Sequence, residues 1–348
     1  MATAAFVGID WGTTNRRAWL LDGNGHVLDS VRDHEGSLAC RGRFAQSLQT
    51  LLAGWPGAQD VPVVMAGMVG SALGWQEVSY LDAGVPLAQL PRHLATVNDG
   101  PPGARWHIVP GMCWRSNKGR VDVMRGEETQ LLGAAQLAPG DGWTVLPGTH
   151  SKWVRQRGGH IDVLRTYMTG ELFAALRAGG TLAPLIAAAG GADGGAAFDL
   201  GVRSLSNEEL SHALFGARAR VMAGGAPAGG TAEYVSGLLM AAEWRDAVRH
   251  GGLDVQPVRL VGEPALAERH ARCAVHFGLS TQTLDPDAVQ LAAWRAMHHR
   301  FAIERTQTGS RGESTSQQRY RALHETFDPG RPATAAGDPS RPATRTSR

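Results

Sequence analysis

The sequence predicts an α/β protein made of two copies of one strand-rich unit, followed by a tail of different composition. Three observations carry this. The strand and helix signals of residues 1–139 recur in the same order over residues 140–300. Each copy opens on a hairpin whose first turn is rich in glycine and hydroxyl residues: Asp10-Trp11-Gly12-Thr13-Thr14 in the first, Pro147-Gly148-Thr149-His150-Ser151-Lys152 in the second. From Phe301 the chain turns to Ser, Thr, Gln, Arg and Pro, and RPAT occurs at 331–334 and again at 341–344.

Element by element, Ala5–Asp10 is a short β-rich run, Arg17–Asp22 a second strand, and the turn Gly-Asn-Gly leads into His26–Arg32; such turns are strong hairpin signals. Phe44, Leu48, Leu51 and Leu52 have helical spacing,. Val61–Ala66 and Trp106–Pro110 read as buried strands and Glu127–Leu137 as a helix. After the break Ala-Pro-Gly-Asp-Gly at 138–142, strands are expected at Trp143–Pro147, Trp153–Gln156 and His160–Thr166, with a helix from Thr169–Glu171. Helix Thr231–Arg249, strand Val258–Val261, helix Pro264–Phe277, strand Ser280–Leu284 and helix Pro286–His298 complete the copy. Two βββαβαβα units describe duplicated ribonuclease-H-like domains, 1–139 and 140–300, with a cleft between them. The tail 301–348 carries eight arginines against five acidic residues and little apolar surface. It cannot offset its ordering entropy and is expected to be disordered, apart from a short helix near Tyr320–Phe327. Gly/Ala-rich Ala187–Ala197 reads as a flexible loop.

Composition excludes several classes of function. With 43% hydrophobic and 19% charged residues, the 348-residue chain can bury a substantial core,. Thirty-four basic against 32 acidic residues leave a net charge of +2, no broad field for nucleic acid. No apolar run reaches the roughly 18 residues that read as a membrane span. The start, Met-Ala-Thr-Ala-Ala-Phe, lacks the basic stretch of a signal peptide,. Cys40, Cys113 and Cys273 are scattered, so free thiols in a cytoplasmic protein are expected rather than disulfides or zinc,. Only Lys118 and Lys152 are lysines among 34 basic side chains.

The candidate site lies on the two turns. A strand ending in Asp10 and turning through Gly12, Thr13 and Thr14 aims backbone N–H groups and hydroxyls at one point, which suits phosphate oxygens. Asp10 can hold Mg²⁺ through water, because Mg²⁺ keeps most of its hydration and takes one or two carboxylates. An ordinary hairpin turn with Asx-type hydrogen bonds would use the same residues. Gly148, Thr149, Ser151 and Lys152 occupy the matching turn of the second copy, so two turns facing across a cleft could clamp a polyphosphate, with Lys152 as a point charge. Glu127 and Glu128 begin the helix at the end of the first unit. One suffices to complement the helix dipole; the other, Glu127 first, is placed to act as a general base. Gly262, at a strand–helix junction, leaves room for a flat base or ribose. Gly67 and Trp75 flank a loop at the cleft and could open onto substrate. Arg17 and Arg125 could receive a carboxylate, for which the guanidinium fork is suited.

These motifs resemble the superfamily of sugar kinases, actin and heat-shock chaperones. DWGTT is similar to its first phosphate motif, PGTHSK to its second and LVGEPAL to its adenosine motif. Where glycerol and xylulose kinases place an aspartate base after a glycine, this chain has Gly126-Glu127. Six segments in order, GIDWGTTNRRAWLLD, MAGMVGSALGWQEVSYLDAGVP, DVMRGEETQLLGA, LPGTHSKWV, TYMTGELFAAL and RLVGEPALAERHA, resemble the 2-dehydro-3-deoxygalactonokinase family over roughly residues 5–300. The resemblance implies ATP and Mg²⁺ as cofactors and a small sugar acid, phosphorylated on its 6-hydroxyl in galactonate breakdown, as substrate. It implies no nucleic-acid or membrane partner. A kinase for another sugar, an actin-like or chaperone-like ATPase, and a phosphohydrolase on the same fold are the other readings. Removal of residues 302–348 should leave the melting temperature and catalysis nearly unchanged; a large fall in either, by calorimetry or assay, would make the tail part of the fold.

Overall fold

The computed structural model describes residues 2–188, 194–205, 208–253 and 257–301. Its first half contains β1 (Ala4–Trp11), β2 (Arg16–Asp22), β3 (Val27–Asp33), α1 (Phe44–Ala53), β4 (Val63–Gly67), the short β5 (Leu81–Asp82) and β6 (Ala95–Thr96), β7 (Trp106–Ile108), β8 (Met112–Arg115), β9 (Val121–Met124) and α2 (Glu127–Leu137). The second half contains β10 (Gly142–Leu146), β11 (Ser151–Arg157), β12 (His160–Tyr167), α3 (Thr169–Ala178), α4 (Ala183–Ile186), α5 (Gly194–Ser204), α6 (Leu210–Met222), α7 (Thr231–Gly251), β13 (Val258–Val261), α8 (Pro264–His276) and β14 (Thr281–Leu284). A last helix, α9, runs over 286–301.

The repetition is physical as well as sequential. The first sheet has the order β3-β2-β1-β4-β7-β6 and the second β12-β11-β10-β13-β14. In each, an antiparallel meander lies beside parallel strands, β1 with β4 and β10 with β13. Such parallel neighbours must be joined by a crossover, which places α1 after the first meander and α3 to α7 after the second. A three-stranded sheet, β5-β8-β9, is added between them. Its strands are two to four residues long, too short to leave a periodic signal. Residues 1–300 form one compact unit.

Each sheet buries its own core. Val7, Ile9, Val63 and Met65 meet Phe44, Leu48 and Leu52 of α1. Trp143, Trp153 and Trp244 anchor the second core, with Trp153 and Trp244 edge to face at 4.7 Å, a favoured aromatic geometry. A third cluster joins α2 (Leu131, Ala134), the β8–β9 ribbon (Met112, Met124), the second sheet (Leu146, Val154, Leu164) and Val289 of α9. The last described helix thus returns to the first sheet. Trp294 lies under Gly8 of β1, where a Cβ would sit 2.5 Å from the indole, and Arg295 Nε donates to Gly25 O at 2.8 Å.

The Ala187–Ala197 region is not wholly a loop, because α5 begins at Gly194; residues 189–193 lie outside the described residues, as do the tail 302–348 and the helix expected near Tyr320. The three cysteines are buried and free.

Gly133 fixes the crossing of α2 and α9, since a Cβ there would lie 1.9 Å from Val289 O. Gly133→Ala gains about 1 kcal/mol of helix propensity, yet a backbone clash cannot be relieved by a rotamer, and overpacking costs about 1–3 kcal/mol. The variant should melt a few degrees lower in calorimetry; wild-type stability would refute this crossing.

Candidate active site

The site begins with β-sheet register. Asp10 near the end of β1 pairs directly with Arg17 on antiparallel β2. Cross-strand neighbours of opposite charge are close enough to pair, and Arg17 donates to Asp10 Oδ2 from Nε (3.1 Å) and Nη2 (2.6 Å). Arg17 Nη1 also lies 3.4 Å from Asp287 of α9, whose other oxygen pairs with Arg32. Arg17 is therefore committed to carboxylates of its own chain. Asp10 Oδ1 accepts no hydrogen bond among the described residues and lies beside Gly67.

Gly67, at the end of β4, brings the acidic helix to Asp10. Its φ is +93° and a Cβ there would be 2.8 Å from Trp11 O. Opposite it stands Gly126 at φ +107°, where a Cβ would be 3.3 Å from Gly67 Cα. Two strained, side-chain-free residues let the start of α2 touch the end of the first sheet. The bend at Gly126 also turns two backbone N–H groups toward the first turn of α2. Arg125 N donates to Glu127 Oε2 at 2.9 Å and Gly126 N to Glu128 Oε2 at 2.7 Å.

The two glutamates then differ. Glu128 is 0% exposed. Burial, then the adjoining Glu127 charge, pushes its pKa up to about 8. Glu127 stays partly exposed. Its pKa is also raised by burial, opposed by the Lys152 ammonium and reinforced by Asp10. Asp10, Glu127 and Lys152 thus share one electrostatic neighbourhood.

The second turn is built similarly but its side chains are more occupied. Gly170 of α3 lies beneath it, since a Cβ there would be 2.6 Å from Gly148 O, and Glu171 N donates to Thr149 O at 3.0 Å. His150 pairs with Glu171. Gly148 faces open space and Thr149 is exposed. Ser151 donates to buried Glu243 at 2.7 Å. Lys152 pairs in register with Thr166 on β12. Its Nζ donates to Thr166 Oγ1 and to Val123 O of β9, both at 2.9 Å, and the residue is 7% exposed. Its charge bears on Glu127 rather than on the mouth of the turn.

Two cavities flank these turns. One of about 530 Å³ runs along Asp10, Gly12, Thr13, Thr14 and Arg17 to Glu263 of the second half. The other, about 450 Å³, lies beside Gly148 and is walled by Gly170, Phe173, Met240 and Leu266, an apolar slot with polar edges of the kind that holds a nucleoside. Gly262 packs on Pro147, with a Cβ position 3.1 Å from Pro147 Cδ, so strand β13 meets the second turn directly. The donor set fits a Mg²⁺–nucleotide. Three carboxylates, Asp10, Asp33 and Glu263, line the first cavity; Asp33 is held by Arg16, which leaves Asp10 and Glu263, within the one or two carboxylates that Mg²⁺ takes. No cluster of three or more metal-ligating side chains occurs among the described residues.

Two partly exposed residues named from sequence are engaged by their own chain. Trp75 packs on Phe44, Trp11 and Trp106 and donates to Asp99 Oδ2 at 2.9 Å; it belongs to the first core. Arg125 stacks 4.4 Å over Tyr80 and donates to Val78 O at 2.6 Å, while its Nε and Nη1 are buried without a partner. Sequence reasoning missed Glu243, Glu263, Asp287 and Gly36. Gly36 braces the first turn, where a Cβ would meet Thr14 C at 2.3 Å. Only Glu263, inside LVGEPAL, lay in a motif already noticed.

Comparison with known proteins agrees with this geometry. Residues 10–297 match the 2-keto-3-deoxy-galactonokinase family. A 2-dehydro-3-deoxygalactonokinase of Escherichia coli K12 is 36% identical over 306 residues, covering 86% of this chain and 99% of that protein. A relative in Rhizobium meliloti, given the same activity as probable, is 35% identical over 82% of this chain and 94% of its own length. A crystal structure from Sinorhizobium meliloti, titled as a candidate 2-dehydro-3-deoxygalactonokinase, superposes with a TM-score of 0.79 at 32% identity, covering 85% of this chain and 99% of that one. Because the match runs from Asp10 of the first turn through the glutamates of α2 and Gly262 into α9, it takes in every part of the site, and the chain belongs to the 2-keto-3-deoxy-galactonokinase family.

Proposed function

We propose that this chain transfers the γ-phosphoryl group of ATP to the 6-hydroxyl of 2-dehydro-3-deoxy-D-galactonate. The observation that carries the reading is the Gly67–Gly126 contact, which brings the start of α2, and with it Glu127, into the electrostatic neighbourhood of Asp10, beside the cavity lined by Asp10 and the Gly12–Thr14 turn. The family name supplies the acceptor; the cavities agree with a nucleotide and a small sugar acid. Mg²⁺–ATP, when bound, supplies the phosphoryl group and neutralises the charge that develops on it.

The chain's own residues do the rest. The backbone of Gly12–Thr14 and Gly148–Thr149 would receive phosphate oxygens, and Asp10 would hold the Mg²⁺ through water. Gly262 borders the nucleoside. Glu127 takes the proton from the 6-hydroxyl as its oxygen bonds to phosphorus and the bond from phosphorus to ADP breaks. Arg17 holds Asp10 in position until the metal arrives. Residues 1–139 and 140–300 act as two jaws, and their closure excludes water and limits wasteful hydrolysis. No described helix is long and apolar enough to cross a membrane.

A coupled ADP-release assay with 2-dehydro-3-deoxy-D-galactonate, its gluconate epimer, glycerol and no acceptor tests the reading. ADP release only with the first compound supports it; release without acceptor would make the protein an ATPase. Asp10→Asn should lower kcat by about 100-fold or more at unchanged melting temperature; near-wild-type turnover would remove Asp10 from the site. Glu127→Gln should cost about 100-fold or more in kcat, whereas Glu128→Gln should cost less than about tenfold.

Glu128 also gives a stability test. Its folded pKa of about 8 lies above the unfolded 4.5, so between these values the folded chain binds the extra proton and stability falls as pH rises. Glu128→Gln removes that dependence. Denaturant titrations should show the variant gaining on wild type from pH 5 to pH 8.5; parallel curves would refute the raised pKa.

A further inference from the structure

We propose that Glu243, on α7, is the positioning residue of the nucleotide cavity, holding the second glycine–threonine turn and the start of α3 where a nucleoside triphosphate needs them. The inference rests on the kinase reading above and concerns a residue that touches no ligand itself.

The geometry is specific. Glu243 is 2% exposed. Oε1 accepts the Ser151 hydroxyl at 2.7 Å and the Trp153 indole N–H at 2.5 Å. Oε2 accepts the Thr169 hydroxyl. Ser151 leaves the turn on one side; Thr169 opens α3, whose Gly170 supports the turn from below. Ser151, Thr169 and Gly170 all line the 450 Å³ cavity, and Leu239 and Met240 of α7 form another part of its wall. One carboxylate therefore ties three elements, β11, α3 and α7, around a single space.

Charge argues that this is more than packing. No basic side chain hydrogen-bonds to Glu243 among the described residues. The neighbouring His270 accepts the Trp244 indole N–H at 3.2 Å on Nδ1, and burial lowers its pKa, so it is no counter-ion. Burying a carboxylate without a cation is costly, and apolar side chains in such places are often as stabilising. A fold-only contact between α7 and β11 would be served by leucine. Three directed acceptances instead fix hydroxyl and backbone positions, the property a preorganised binding loop requires.

The test uses the full-length protein with Glu243→Leu, Glu243→Gln and the milder Thr169→Val. ADP binding is measured by calorimetry without acceptor, together with KM for ATP, KM for the sugar acid, kcat and melting temperature. Glu243→Leu, which removes all three hydrogen bonds, should weaken ADP binding and raise KM for ATP by about tenfold or more, with KM for the sugar acid within about twofold. Thr169→Val, which keeps the shape and removes one bond, should shift the same two quantities by about threefold. Glu243→Gln should recover most of the affinity, because its carbonyl still accepts from Ser151 and Trp153 while the Thr169 hydroxyl turns to accept from the amide. Unchanged nucleotide affinity in both Glu243→Leu and Thr169→Val, with only the melting temperature lowered, would overturn the positioning role. Failure of the wild-type chain to bind ADP would instead overturn the kinase reading on which it stands.

Discussion

The site depends on one backbone contact. A Cβ on Gly126 would crowd Gly67 Cα at 3.3 Å, a Cβ on Gly67 would meet Trp11 O at 2.8 Å, and each glycine adopts a positive φ. This contact alone carries the chain from the end of a parallel strand to the start of an acidic helix with no side chain between. Asp10 reaches it from β1, paired in register with the strand that bears Gly67. The glutamates reach it because the bend at Gly126 turns two N–H groups onto their carboxylates. Backbone geometry, rather than a long side chain, decides how far Asp10 lies from the glutamates of α2.

The same geometry separates two adjacent identical residues. One step along α2 rotates a side chain by about 100°, enough to leave Glu127 at the edge of the cleft and to enclose Glu128 completely. Burial raises the proton affinity of both; the Glu127 charge raises that of Glu128 further and Asp10 that of Glu127, because carboxylates in one place resist joint ionisation,. Lys152 relieves the outer one and leaves the inner one protonated near neutrality. The arrangement of unlike acids from like residues is thus produced by position on a helix and one buried ammonium.

Much of this was legible in the sequence. Both turns, α2 and β13 lie where their patterns put them, because hairpin turns and buried strands are local signals, and the strand order of the first sheet recurs in the second; the second helix of the expected βββαβαβα order does not form in the first half, where 3-10 turns and two-residue strands join β4 to β7. What escaped depends on contacts between distant segments. Lys152 reads as a phosphate ligand, yet register with Thr166 and the nearby β9 direct its ammonium to Val123. Trp75 reads as a cleft residue, yet the first core absorbs its ring. Glu243 sits in a 21-residue helix with no motif around it, and only folding brings Ser151 and Thr169 to its carboxylate. Arg17 was noticed for its charge and proves to be committed to Asp10, which the pairing of β1 with β2 dictates.

The return of α9 to the first sheet bears on the order in which the protein can be made. Gly8 and Phe6 of β1 meet Trp294, some 290 residues later in the chain. On the ribosome the first sheet can form its meander early and cover one face with α1. Its other face waits for the whole second half to be synthesised. Domains generally fold in sequence from the N-terminus, but here the first unit remains half-dressed until the last helix emerges. The apolar face of β1 and β4 is the surface that a nascent-chain chaperone would find open for longest, and completion of the first half is tied to completion of the second.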